Sequence, residues 1–204
     1  ASAVIPNFHP VPEEAIGKSG PLTVLWVANF KQWKRPEAFV RLAASLRDLA
    51  GVRFVMVGAP AGGADSNWNE TVMQAIRATP NVDYVGQKTQ GEVNALLARA
   101  HLFVNTSEQE GFANTFIQAW MREVPVISLG VDPDGLFDRE DVGFCAGSEP
   151  ELATAVRSLV TDDERRSRMA RKAGVYATSR HSIRNVDELV QLIEGTTPAT
   201  GVPA

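Results

Sequence analysis

Between a short apolar run and a helical pattern the sequence reads Asn105-Thr106-Ser107-Glu108-Gln109-Glu110-Gly111-Phe112-Ala113-Asn114-Thr115-Phe116-Ile117-Gln118-Ala119-Trp120. This predicts a strand end, an acidic loop with a glycine, and a helix beginning near Ala113. The amides of Ala113, Asn114 and Thr115 would then lack intrahelical partners and point outward. With the helix dipole they favour an anion by up to about 2 kcal/mol in a partly buried geometry. Gly111 would let backbone approach a ligand closely. Glu110 stands at the mouth, and Gln118, eight positions on, would lie about two helical turns deeper on the same face. A carboxylate repels a neighbouring phosphate, so the partners of Glu110 are better sought among neutral hydroxyls, of which a sugar is the obvious source. The bland alternative is a helix cap with one surface glutamate.

A second polar junction, Ala28-Asn29-Phe30-Lys31-Gln32-Trp33-Lys34-Arg35-Pro36-Glu37, places three cations (Lys31, Lys34, Arg35) directly after an apolar run. They would face a ligand in a crevice, or simply decorate a solvated turn. The junction Gly58-Ala59-Pro60-Ala61-Gly62-Gly63-Ala64 suggests a dinucleotide loop only superficially. It does not fit G-x-G-x-x-G and follows the second apolar run, so it reads as a flexible loop. His9, His101 and His181 show no ligand spacing, and His101 opens an apolar run as a structural residue.

The elements that must position these residues alternate. Apolar runs at Thr23–Ala28, Arg53–Val57, Val82–Val85, Leu102–Val104, Val126–Leu129 and, more weakly, Gly143–Ala146 read as strands covered on both faces. Between them Phe39, Leu42, Ala43 and Leu46, then Val93, Leu96, Leu97 and Ala100, repeat at helical spacing. Three helical patterns follow the last run; one carries Leu152, Ala155, Val156, Leu159 and Val160, and the final one Ile183, Val186, Val190 and Ile193. Thr89/Glu92, Ser148/Glu151 and Thr161/Glu164 have capping-box spacing, so each hydroxyl could take an amide of a first turn. Strict alternation predicts βαβ units, right-handed crossovers and a Rossmann-like three-layer α/β/α domain of about six parallel strands. In such a sheet ligands bind beyond the carboxyl ends of the strands. Residues 1–20 and the tail from Gly195 are rich in Pro and Gly and read as linker or loosely held.

Composition excludes other classes. The chain of 204 residues has 44% hydrophobic and 22% charged residues and one cysteine, Cys145. It is neither disordered nor disulfide-stapled, it cannot form a Cys-based zinc site, and it fits a reducing compartment. No apolar run is long enough for a membrane helix. A formal net charge of −4 argues against nucleic acid as the main partner. An anionic ligand would have to be held by a few local cations.

Glu110-Gly111-Phe112-Ala113-Asn114-Thr115-Phe116-Ile117-Gln118-Ala119 resembles the E-G-F-G-x-x-x-x-E-A signature, the E-x7-E motif, of retaining GT-B glycosyltransferases, specifically glycosyltransferase family 4. Val24 to Phe30 followed by Lys34 resembles that family's strand, Gly-Arg and Lys loop. Phe54 to Gly58, Val82 to Gly86 followed by Glu92, and Val124-Pro125-Val126-Ile127 resemble further family strands, and Val4-Ile5-Pro6-Asn7 its interdomain linker. The likeness is collinear over residues 4–194. It implies a linker region at 1–20, a nucleotide-sugar binding domain at 21–180 and a C-terminal helix and loose tail at 181–204. The chain would be the C-terminal, donor-binding half of an enzyme whose acceptor domain is a separate N-terminal lobe. A cytoplasmic location is implied, with any peripheral association with the inner face of a membrane made through that lobe.

Carried over by position, the resemblance implies Lys34 and Glu110 as catalytic residues, holding the donor diphosphate and the donor-sugar hydroxyls. Gln118 would meet the ribose, and the amides of Phe112, Ala113, Asn114 and Thr115, beside Gly111, would cap phosphate oxygens. Val85, Gly86 and Gln87 would face the nucleobase. Asn29 stands where a phosphate-binding Arg is usual, with Lys31 or Arg35 as possible substitutes, and Gln118 replaces the second Glu. Ala28 and Ala113 stand for glycines, and Gly130 to Gly135 replaces a G-G-x-x-E loop. No cofactor or essential metal is implied; Pro133 between Asp132 and Asp134 favours a turn over a metal-binding D-x-D pair. The departures at Asn29 and Gln118 also fit a nucleotide- or sugar-binding module that has lost catalysis. A dinucleotide oxidoreductase lacks its glycine fingerprint.

Overall fold

The computed structural model describes residues 6–12, 17–60 and 66–194. The strands are β1 (Leu22–Val27), β2 (Val52–Val57), β3 (Val82–Tyr84), β4 (Leu102–Asn105), β5 (Val126–Ser128) and β6 (Gly143–Cys145). The helices are α1 (Pro36–Ser45), α2 (Ser66–Arg77), α3 (Gln90–Arg99), α4 (Asn114–Trp120), α5 (Leu136–Glu140), α6 (Glu149–Thr161), α7 (Asp163–Arg180) and α8 (Arg184–Ile193). All strand pairs are parallel and the order is β3-β2-β1-β4-β5-β6. The expected α/β/α architecture is therefore the observed one.

Both sheet faces are buried, which is why the strand runs are continuously apolar. Val24, Trp26, Phe54 and Met56 point into one core with α1, α2 and α6. Leu25, Val55, Val57 and Phe103 point into the other with α3, α4 and α5. The second core centres on Trp120, fully buried, whose indole N–H donates to the Val142 carbonyl at 2.9 Å. Phe116 and Phe137 pack on its ring at centroid distances of 5.7 and 6.1 Å.

Two of the three expected caps form. Thr89 and Glu92 make a reciprocal capping box, and the Ser148 hydroxyl accepts from the Glu151 amide. Thr161 instead closes α6, its hydroxyl donating back to the Arg157 carbonyl at 2.9 Å. Asp162 caps α7 in its place, accepting from the Arg165 amide at 2.8 Å. A carboxylate there also suits the positive end of the helix dipole.

α8 forms as its spacing predicts, yet Ile183, Val190 and Ile193 are exposed. The Pro6–His9 segment is bound to the body of the domain. The Asn7 carbonyl meets His181 Nδ1 at 2.7 Å, the His9 amide donates to the His181 carbonyl at 2.9 Å, and Asn185 donates to the Pro6 carbonyl at 3.0 Å. The remaining linker and tail expectations for residues 1–5, 13–16 and 195–204 fall outside the described residues.

Candidate active site

Chain order in the sheet reverses at β1, which has β2 on one side and β4 on the other. The loops leaving β1 and β4 diverge there and open a crevice at the carboxyl edge. It is a cleft of about 620 Å³, with Asn29, Lys31 and Lys34 on the β1 side, Gln87 and Lys88 after β3, and Ser107, Glu110, Ala113, Asn114 and Thr115 after β4. Among the described residues three ammonium groups and one carboxylate share this wall, a cationic bias within a chain of net charge −4.

Lys34 and Glu110 meet directly. Lys34 Nζ donates to Glu110 Oε1, and Ser107 Oγ donates to the same oxygen at 2.8 Å. Their side chains are 24% and 18% exposed, so the pair is only partly screened by water. The loop carrying Lys34 is fixed from beneath. Thr106, fully buried, accepts from the Trp26 indole N–H at 2.8 Å and donates to the Lys34 carbonyl at 2.7 Å. The Glu108 amide donates to the Trp33 carbonyl at 2.8 Å. These bonds lock the backbone of the turn after β1 to the loop after β4.

Arg35 leaves the cleft. Its backbone is left-handed (φ 46°, ψ 55°), and its guanidinium donates to Glu149 Oε1 at 2.7 Å. Arg41 grips both oxygens of Glu149 at 2.9 and 2.7 Å. Bonds from Arg41, aided by the charge of Arg35, hold the Glu149 carboxyl below its ordinary range. Of the two cations that could stand in for a phosphate arginine, Lys31 is therefore the one on the cleft wall. Its ammonium lies 4.8 Å from the Trp33 ring centre.

The floor between β1 and β2 depends on Gly58, at φ +148°. A Cβ there would stand 1.8 Å from the Ala28 carbonyl oxygen. This approach lets the Phe30 amide reach the Ala59 carbonyl at 2.9 Å, while Tyr84 Oη donates to the Gly58 carbonyl at 2.9 Å. The start of the loop expected to be flexible is thus fixed; residues 61–65 lie outside the described residues.

Other expected positions sit off the wall. Val85 and Gly86 lie behind Gln87, bonded to the β2 end through Val85 N to Met56 O and Gly58 N to Gly86 O, both 3.0 Å. Gly111 borders an adjoining cavity, and Phe112 packs on Trp120 and His181. α4 begins at Asn114, with Ala113 as its N-cap, so Glu110 lies on the preceding loop and does not share a helix face with Gln118. Gln118 is buried in α4 and does not border the cleft; its Oε1 has no hydrogen-bond partner among the described residues. Asp132 and Asp134 flank the turn at Pro133, and the Asp132 carboxylate caps the Phe137 amide at 3.1 Å. Among the described residues no group of three or more His, Cys, Asp or Glu is placed to hold a metal ion.

Ser107, Thr106, Lys88 and Gly58 are site residues that sequence reasoning did not assign. Ser107 carried a usable signal, a hydroxyl three positions before Glu110 in the same loop. Thr106 carried none, because its partners lie 80 and 72 positions away.

Known proteins share this chain's family and fold. Residues 12–174 match the family model described as glycosyl transferases group 1. Glycosyltransferase 1 domain-containing protein 1 of Xenopus tropicalis is 24% identical over 119 residues, 58% of this chain and 34% of that protein. A trehalose synthase of Rubrobacter xylanophilus is 27% identical over 158 residues, 73% of this chain and 37% of that protein. The chain thus spans about a third of the length of these curated relatives. Among solved structures, Anabaena HepE in complex with UDP superposes with a TM-score of 0.75 at 18% identity, covering 86% of this chain and 49% of that one. The C-terminal domain of LpcC, a group 1 glycosyl transferase of Francisella tularensis, gives 0.72 at 18% identity over 80% of this chain and 88% of that one. The fold is that of the C-terminal domain in GT-B glycosyltransferases, and with most of its length matched the chain belongs to the glycosyl transferases group 1 family.

Proposed function

We propose that this chain is the donor-binding domain of a retaining glycosyltransferase of hexosyltransferase type, serving glycan or polysaccharide synthesis. It takes a UDP-, GDP- or ADP-linked sugar, and an N-terminal domain supplies the acceptor. The single observation carrying this reading is the Lys34–Glu110 pair at the carboxyl edge of β1 and β4, inside a cleft whose other charged groups, among the described residues, are Lys31 and Lys88. Cleaving the sugar–phosphate bond leaves negative charge on the diphosphate and positive charge at the anomeric carbon. Lys34, Lys31 and the amides opening α4 stabilise the departing diphosphate without calling on a metal, while Glu110 accepts hydrogen bonds from the sugar hydroxyls. A diphosphate that takes Lys34 releases Glu110 to the sugar, so one ligand satisfies both halves of the pair. The structure of HepE with UDP supports a nucleotide in this fold. No nucleophile for a double displacement is assigned.

Calorimetric titration of the chain with UDP, GDP and ADP tests this, since one of the three is expected to bind. Lys34→Ala is expected to remove about 3 kcal/mol of transition-state stabilisation in a chain that includes the acceptor domain. Failure of all three nucleotides to bind at millimolar concentration would refute the reading.

A second reading, a binding module without turnover, is motivated by neutral Asn29 on the wall and by Gln118 turned into the core. Tight nucleotide binding with neither sugar transfer nor donor hydrolysis by the longer chain would favour it.

A further inference from the structure

The chain buries Trp26 and Trp120 but leaves Trp33 47% exposed. Trp33 is no loose surface residue. It sits in the 3-10 turn Gln32–Lys34, its carbonyl is bonded to the Glu108 amide, and the Lys31 ammonium lies against its ring. It borders both the cleft and an adjoining open cavity of about 640 Å³, whose other walls among the described residues are Gln109, Glu110 and Gly111. Glu110 is likewise shared by the two. An apolar ring on a backbone-anchored turn, beside a carboxylate, a primary amide and glycine backbone, matches the two-sided chemistry of a sugar. The C–H face of a pyranose packs on the aromatic surface, and its equatorial hydroxyls reach acceptors and donors at the rim. A solvated turn has no need of an indole there, and exposing one costs apolar hydration.

We infer that Trp33 is the platform of a saccharide subsite in that adjoining cavity, with Glu110 and Gln109 reading the hydroxyls of a pyranose ring. The inference rests on the proposed nucleotide-sugar site, and the ring could belong to the donor or to a second saccharide. A nucleobase would also stack on an indole, and the UDP-alone measurement below separates that case.

The test uses this chain with Trp33→Ala and Trp33→Phe. Calorimetry measures UDP, then UDP-glucose and UDP-N-acetylglucosamine, and saturation-transfer NMR measures maltotriose and chitotriose with and without UDP. Trp33→Ala is expected to weaken the saccharide-dependent part about tenfold over and above any change in UDP affinity that follows from its contact with Lys31, with Trp33→Phe recovering most of it. Loss confined to the UDP-sugar increment assigns the ring to the donor. Loss confined to the free trisaccharides assigns it to a second sugar. Unchanged saccharide binding in Trp33→Ala, no saccharide increment in the unaltered chain, or an equal loss for UDP alone would overturn the subsite. Failure of UDP to bind the unaltered chain refutes the nucleotide reading separately, and the trisaccharide arm without UDP then decides the subsite alone.

Discussion

Lys34 and Glu110 are each other's partner, which sets opposing expectations for the two halves of a ligand. Glu110→Gln removes a carboxylate that competes with phosphate for Lys34, so binding of the bare nucleotide diphosphate is expected to hold or strengthen. The added affinity of the sugar-linked donor is expected to fall, since neutral hydrogen bonds are about half as strong as charge-assisted ones. Titrating nucleotide and nucleotide-sugar in parallel checks both. Thr106 makes a different point. Thr106→Val strands the Trp26 indole N–H and the Lys34 carbonyl in the interior. That is expected to cost about 1–3 kcal/mol and to lower Tm by several degrees in a thermal melt. Lys34 and Glu110 stood out as a cation and a carboxylate at strand ends, singled out by the family resemblance, whereas Thr106 between Asn105 and Ser107 looks like any polar residue where a strand gives way to a loop.

Among the elements, close approach of the β1 and β2 ends demands a glycine at position 58. Gly58→Ala forces a contact that backbone must relieve, and it is expected to lower both Tm and nucleotide affinity, because the displaced chain forms the cleft floor. Helix caps separate stability from function. Asp162→Ala removes the cap of α7 far from the cleft and is expected to cost about 1 kcal/mol with nucleotide affinity unchanged. The strands were readable to within a residue or two, since a run buried on both faces has a composition of its own. The boundary between α6 and α7 was not, because Thr161 and Asp162 are both good caps and only the actual end of α6 chooses between them.

At the scale of the whole molecule, the segment Pro6–His9 is held by His181 and by Asn185. His181 is 3% exposed, and its Nε2 has no hydrogen-bond partner among the described residues. Burial, more than the neighbouring Arg180, pushes its pKa below the ordinary 6.5, against the opposing bond to the Asn7 carbonyl. Burial does the same to His101, helped by Lys18 and Arg166. The unfolded chain therefore takes up these protons first, so stability is full above pH 6.5 and falls as pH drops through the window below it. Thermal melts between about pH 7.5 and 5.5 should show Tm declining with acid, and His181→Asn should flatten part of that slope. An acid-insensitive Tm would contradict the assignment. That this segment is bonded at all was invisible in its Pro-rich composition, since its partners lie more than 100 positions away.

Alternation of apolar runs with helical stripes by itself determined the layers, the parallel sheet and the edge at which sheets of this kind bind ligands. Those features follow from local periodicity and from the handedness of crossovers, both written in consecutive residues. Tertiary structure alone decided which polar groups face one another: Lys34 toward Glu110, Arg35 toward Glu149, Gln118 into the core, Trp33 at the rim. Each of these outcomes depends on β4 lying beside β1 and on where α4 starts. Contacts between residues some 75 to 115 positions apart are fixed by packing, and no local pattern encodes them.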